Sequence, residues 1–287
     1  MLTSIAVILR ITSNSVANLY QKIASEKESS IIINLYAYFI MSILCVIPAF
    51  FVDWAQFPFE FWLNVLFAGM LCTVGTVALI EALKVGELSV LAPINSYKCI
   101  IGLLSAFVLL GELPSVKEFL CMFFIVLGSY FVLETGGERF RLKLFLRRDI
   151  SLRIFAFLCS GVEASFLKKI IVLSSYKISL ILWCFSGFVC SLIIFAVYNS
   201  FGKKLSVSLP VNLYKDCSII AFMLIIMQLT TNYVFSKMSV GVALSLFQLS
   251  SLVSLYFGYK VYHEKEIVKK LVGTVIMIVS AVIILVG

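Results

Sequence analysis

Apolar residues run through the chain in ten blocks separated by polar breaks: about 2–20, 31–52, 60–83, 88–110, 116–134, 153–174, 178–199, 216–236, 240–262 and 267–286. Each approaches the roughly 20 residues that a helix needs to cross the hydrocarbon core of a bilayer. The pattern predicts an all-α polytopic membrane protein of ten transmembrane helices. Most breaks are too short to hold a domain. Only 135–152, which contains the basic stretch GGERFRLKLFLRRD from Gly136 to Asp149, and 200–215 have room for more than a turn. The first block reads as a mature helix and not a signal peptide, because Arg10 sits in its middle and it lacks both a basic start and a small-residue cleavage site.

Five blocks, a linker and five blocks suggest an internal duplication, and at an offset of 152 the fourth block falls on the ninth. Glu112 then maps to Glu264, Val116 to Val268, Lys117 to Lys269, and the small residues Gly102 and Ala106 to Ser254 and Gly258. The expected organisation is a first five-helix repeat over 1–134, a basic linker over 135–152 and a second five-helix repeat over 153–287. An odd number of spans makes the second repeat enter the membrane from the opposite side. The two repeats are therefore expected to be inverted about an axis in the membrane plane, as in many secondary transporters, with the substrate site between them near mid-bilayer.

Composition agrees with a membrane bundle. The chain is 62% apolar and only 13% charged, with a mean hydropathy of +1.09, against roughly 25% charged residues in a soluble domain. The net charge of +8 falls in the breaks, where the positive-inside bias and anionic lipids account for it without nucleic acid. Sixteen Lys and Arg lie in the odd-to-even loops against five in the others. That bias places the odd-to-even loops in the cytoplasm and both termini outside, in a multi-pass protein of the cell (inner or plasma) membrane. The eight cysteines form no C-x-x-C pair and His263 is the only histidine, so neither a disulfide framework nor a metal site is expected.

The stretch KVGELSVLAPINSYKCIIGLLSAFVLLGELPSVKEF, Lys84 to Phe119, resembles the repeat signature of the drug/metabolite transporter superfamily, specifically its EamA-type ten-helix members. Gly111, Glu112 and Gly128 match in the first repeat. The second keeps Glu264 but has His263 where the first has Gly111, and Ser280 where the first has Gly128. The resemblance implies a secondary exporter or uptake carrier of small metabolites with a central cavity between the repeats. One interfacial histidine and one deep acid argue against an intramembrane enzyme, and no cofactor is expected.

Three charges fall at mid-helix: Arg10, Lys98 and Glu163. Each costs about 2.5–3.5 kcal/mol at the bilayer centre, so together they rival the whole stability of many proteins and should face a wet interior. Arg10, Asn14 and Asn18 step by four along one face. Asn95 and Lys98 share a face beside Pro93, which can free a carbonyl in the preceding turn. Gln228 and Asn232 cluster on the eighth block, and Gln248 lies on the ninth. Arg10, Asn14, Asn18, Asn95, Lys98, Gln228, Asn232 and Gln248 are the candidate substrate-binding residues, and Glu163 is the candidate for proton coupling. Glu112 and Glu264 read as turn residues at the interface. A midplane sum of +1 favours a small, anionic or amphipathic metabolite, carried by alternating access, with export as the first expectation. The competing readings are a nucleotide-sugar or sugar-phosphate carrier, a lipid-carrier flippase, and, from another class, a membrane receptor or assembly subunit. The expected partners are membrane lipids, the small-molecule substrate and protons, in a monomer or homodimer.

Overall fold

The computed structural model describes residues 2–111, 145–201, 211–265 and 267–286, together with Val116, Phe124 and Leu205. The rest of the expected fifth block, Glu112, Gly128 and residues 135–144 of the expected linker lie outside the described residues. Among the described residues the chain is helical, with α1 (Leu2–Ser25), α2 (Ser30–Ala49), α3 (Phe59–Val85), α4 (Leu88–Ile94), α5 (Tyr97–Leu110), α6 (Arg148–Leu173), α7 (Tyr176–Ser200), α8 (Val211–Phe235), α9 (Val240–Phe247), α10 (Ser250–Tyr262) and α11 (Ile267–Val286). Eight segments among them are long and apolar enough to span a membrane, counting α4 with α5 and α9 with α10 as one each. The protein is a multi-pass membrane protein.

Helix starts follow local chemistry. Ser29 and Ser175 cap α2 and α7 by accepting from the amides of Ile32 and Ile178 at 3.3 and 3.2 Å. Helix α6 begins at Arg148, inside the stretch expected as linker, with Asp149 in its first turn, where the helix dipole favours an acid.

The fourth and ninth apolar blocks are each a broken helix. In the fourth, Pro93 has no amide to give, and Asn95 and Ser96 turn to i−3 carbonyls at 3.1 and 2.8 Å. In the ninth the break falls at Gln248 and Leu249, whose amides also bond three residues back, at 3.1 and 3.2 Å. Each break leaves orphan carbonyls at the end of a short helix. The two broken helices also end alike. Gly111 and His263, related by the offset of 152, close α5 and α10 in the left-handed conformation at φ 72° and 52°.

Helix pairing is reciprocal. Helix α1 packs along α8 and α3 along α6, α2 lies against α7, α4 against α10, and α5 against α9. Five ion pairs occur among the described residues: Lys22–Glu264, Lys27–Asp216, Arg147–Asp149, Arg148–Glu81 and Lys270–Glu87. All five lie at the end of the bundle that holds the α1–α2, α3–α4 and α10–α11 turns and the start of α6. This is the end that the Lys/Arg bias assigns to the cytoplasm.

Candidate functional site: a charged cavity between the helices

The two breaks expose their carbonyls to arginines from across the bundle. Arg10 on α1 donates from Nη1 to the Phe247 carbonyl at 3.4 Å and stacks its guanidinium 4.1 Å from the Phe247 ring. Arg153 on α6 donates from Nε to the Leu91 carbonyl at 3.1 Å. Leu91 and Phe247 stand in the last turns of α4 and α9, where helical partners run out. Both arginines are buried, at 6% and 5% exposure. A buried guanidinium held by a neutral carbonyl keeps its charge uncompensated.

These side chains line one cavity of about 120 Å³, together with Asn14, Asn18, Asn95, Lys98, Glu163 and Gln228. That is room for several waters and well below the roughly 300–1,000 Å³ of a formed small-molecule pocket. The carboxylate of Glu163 accepts from Trp183 Nε1 at 2.9 Å. Trp183 is held in turn by the Tyr38 ring, 5.1 Å centroid to centroid, and the Tyr38 hydroxyl lies 2.8 Å from Cys72 Sγ. Lys98 lies within electrostatic reach of Glu163, Arg10 and Arg153. Lys98 and Glu163 do not form one of the five ion pairs. Both side chains line the cavity.

The structure therefore brings Arg10, Asn14, Asn18, Asn95, Lys98, Gln228 and Glu163 to a single wall. Two expected site residues lie elsewhere. Asn232 is fully buried, accepting from Gln228 Nε2 at 2.9 Å and donating to the Tyr176 carbonyl at 3.2 Å. Gln248 turns back on its own helix to the Leu244 carbonyl at 2.9 Å. Both satisfy polar backbone at helix ends and breaks, where hydrocarbon cannot.

Sequence reasoning missed Arg153, which stands in a basic run and reads as a loop charge. Its signal is its register: Ser160, also on the cavity wall, lies two turns further along the same helix face. Glu264, expected as an interfacial turn residue, has a side chain only 5% exposed. Its two oxygens accept from the amides of Leu88 and Ser89, each at 2.8 Å.

Comparison with known proteins adds a family likeness over the first half of the chain. Residues 1–134 match the model of the EamA-like transporter family, which bears out the drug/metabolite-transporter resemblance. One solved crystal structure shares the fold with a TM-score of 0.68, covering 98% of this chain and 96% of that chain at 12% identity. At that identity the likeness is one of fold alone. No curated protein matches the chain.

Proposed function

We propose that the chain is a secondary carrier of a small anionic metabolite, working by alternating access between two inverted five-helix repeats. The observation that carries this reading is the convergence of Arg10, Lys98 and Glu163 from three helices on one cavity. Isolated charges at mid-membrane are tolerated where they line water or meet a ligand. The reciprocal helix pairing and the two matched breaks support an inverted arrangement. Broken helices present backbone dipoles and carbonyls at the depth where a substrate must be held. The ion pairs at one end, with Lys22, Glu87, Glu264 and Lys270 joining α1, α4, α10 and α11, are the closed gate of that face. Glu163, the acid on the cavity wall, is the group through which proton flux couples to the substrate.

The test uses purified protein and a panel of small carboxylates and phosphate esters, scored by thermal shift, since a ligand that binds the folded form raises its apparent stability with occupancy. At least one anion should raise the wild-type melting temperature dose-dependently, and Arg10→Gln and Lys98→Gln should each weaken that response about tenfold. The reading fails if anions leave the wild type unshifted, or if both variants respond as the wild type does.

A further inference from the structure

We propose that Arg153 is a second anion anchor, and that the substrate carries two negative charges. This rests on the carrier reading above and narrows it. Among the described residues the cavity wall holds three cations, Arg10, Lys98 and Arg153, against one carboxylate, Glu163. None of the three cations forms an ion pair among the described residues. The acceptors that hold the arginines are neutral carbonyls, at Phe247 and Leu91. A carbonyl orients a guanidinium and leaves its charge in place. Two positive charges are therefore uncompensated in a low-dielectric cavity, a costly arrangement unless a counter-charge arrives.

The donors are also free to receive it. Only Nε of Arg153 is engaged, so its two terminal nitrogens have no hydrogen-bond partner among the described residues. Nε of Arg10 is buried with no hydrogen-bond partner among the described residues. Two guanidinium forks flanking an ammonium suit planar or tetrahedral oxyanions, which they can grip bidentately. The placement has an internal logic as well. Arg10, in the first helix of one half, takes a carbonyl freed at the break of the other half, and Arg153 in α6 does the same in return. A substrate with two anionic groups, or one doubly charged phosphoryl group, neutralises both arginine positions at once.

The experiment uses the full-length chain in detergent at about pH 8, where a phosphate monoester is a dianion. In a Trp54→Phe/Trp62→Phe background, Trp183 on the cavity wall reports binding, and the dose-dependent rise in melting temperature gives the same affinity independently. Phenyl phosphate and succinate are the dianions, benzoate the monoanion, and benzyl alcohol the neutral control. Dianions should bind about tenfold or more tighter than benzoate. Arg153→Gln should remove that advantage while changing benzoate affinity less than about twofold, and Arg153→Lys, which keeps the charge, should retain most of it. Comparison of phenyl phosphate with succinate separates a phosphoryl group from a paired carboxylate. Equal affinity for benzoate and the dianions in the wild type overturns the proposal, whatever the variants do. So does a loss in Arg153→Gln that falls on benzoate and dianions alike. Benzoate binding that depends on Arg10 and Lys98 with no gain for dianions sinks this inference and leaves the carrier reading standing; no anion binding at all sinks the carrier reading itself.

Discussion

The carboxylate of Glu264 caps the backbone amide of Leu88 at 2.8 Å, across 176 positions of sequence. Helix α4 needs that outside help. Its own N-cap residue, Glu87, makes no capping bond, because Lys270 holds its carboxylate. Glu264 supplies the missing acceptors to two orphan amides where the helix dipole also favours a negative charge, and Lys22 balances it at 3.5 Å. Glu264→Gln keeps the shape and loses the charge, so unfolding in detergent should show a loss of about 1–3 kcal/mol, with Glu264→Ala costing more. Both variants melting with the wild type would mean the cap contributes nothing.

Gly111 and His263 make the next case. Both close a broken helix with positive φ, a conformation that costs a residue with a Cβ about 1–2 kcal/mol. Nothing among the described residues lies within 4 Å of a Cβ added at Gly111, so Gly111→Ala reports chiefly the conformational cost and should destabilise by about 1 kcal/mol. At His263 the strain is already present. His263→Gly should therefore stabilise by about 0.5–1 kcal/mol, and a β-branched His263→Val should destabilise. Thermal unfolding of the three variants checks the signs; a destabilised His263→Gly would show that the imidazole holds the turn by contacts and not against strain.

Much of the fold was legible because bilayer physics writes it in block length and hydropathy. The described helices fall on the apolar blocks to within several residues, and Arg10, Lys98 and Glu163 declared themselves by charge in the middle of such blocks. What the sequence hid was set by backbone and distance. Pro93 marks the break between α4 and α5, yet nothing comparable marks the break at Gln248, which contains no proline. Arg153 was lost in a basic run, because charge near a helix start reads as loop until a partner carbonyl 62 positions away is known. Asn232 and Gln248 have the polarity of site residues, but their amides are consumed by backbone carbonyls, at the first residue of α7 and beside the break after α9. Glu264 looked like a turn acid because its target, the start of α4, is remote in sequence.

Gly187 on α7 is pinned against Tyr38 on α2: a Cβ there would enter the Tyr38 ring. Tyr38 is fully buried, with its hydroxyl on Cys72 and its ring against Trp183, so it has nowhere to retreat. Close approach at a small residue is a principal source of helix association in lipid. Gly187→Ala should cost about 1–3 kcal/mol by overpacking. It should also shift Trp183 fluorescence, since Tyr38 is the wall behind that ring. An unshifted spectrum in a protein of wild-type stability would show that α2 and α7 can part without disturbing the cavity.

On the carrier proposal, substitution of Glu163 should separate binding from coupling. Its carboxylate does two things at once: it accepts from Trp183 Nε1 at 2.9 Å and it puts the negative charge opposite Lys98. Glu163→Gln preserves an acceptor for the indole and removes the charge proposed to exchange protons, so the cavity should hold its shape and the variant should fold. In proteoliposomes the variant should still exchange labelled substrate across the membrane with equal pH on both sides, because exchange needs only binding and reorientation. Imposing a pH gradient should then drive no accumulation in Glu163→Gln while driving it in the wild type. The opposite charge balance also predicts a direction for affinity. With its carboxylate gone, the wall carries only cations among the described residues, and an anionic substrate should bind about as tightly as before or more so. A variant that loses exchange and coupling together would instead assign Glu163 a packing role on Trp183, which Glu163→Asp, too short to reach the indole, would reproduce.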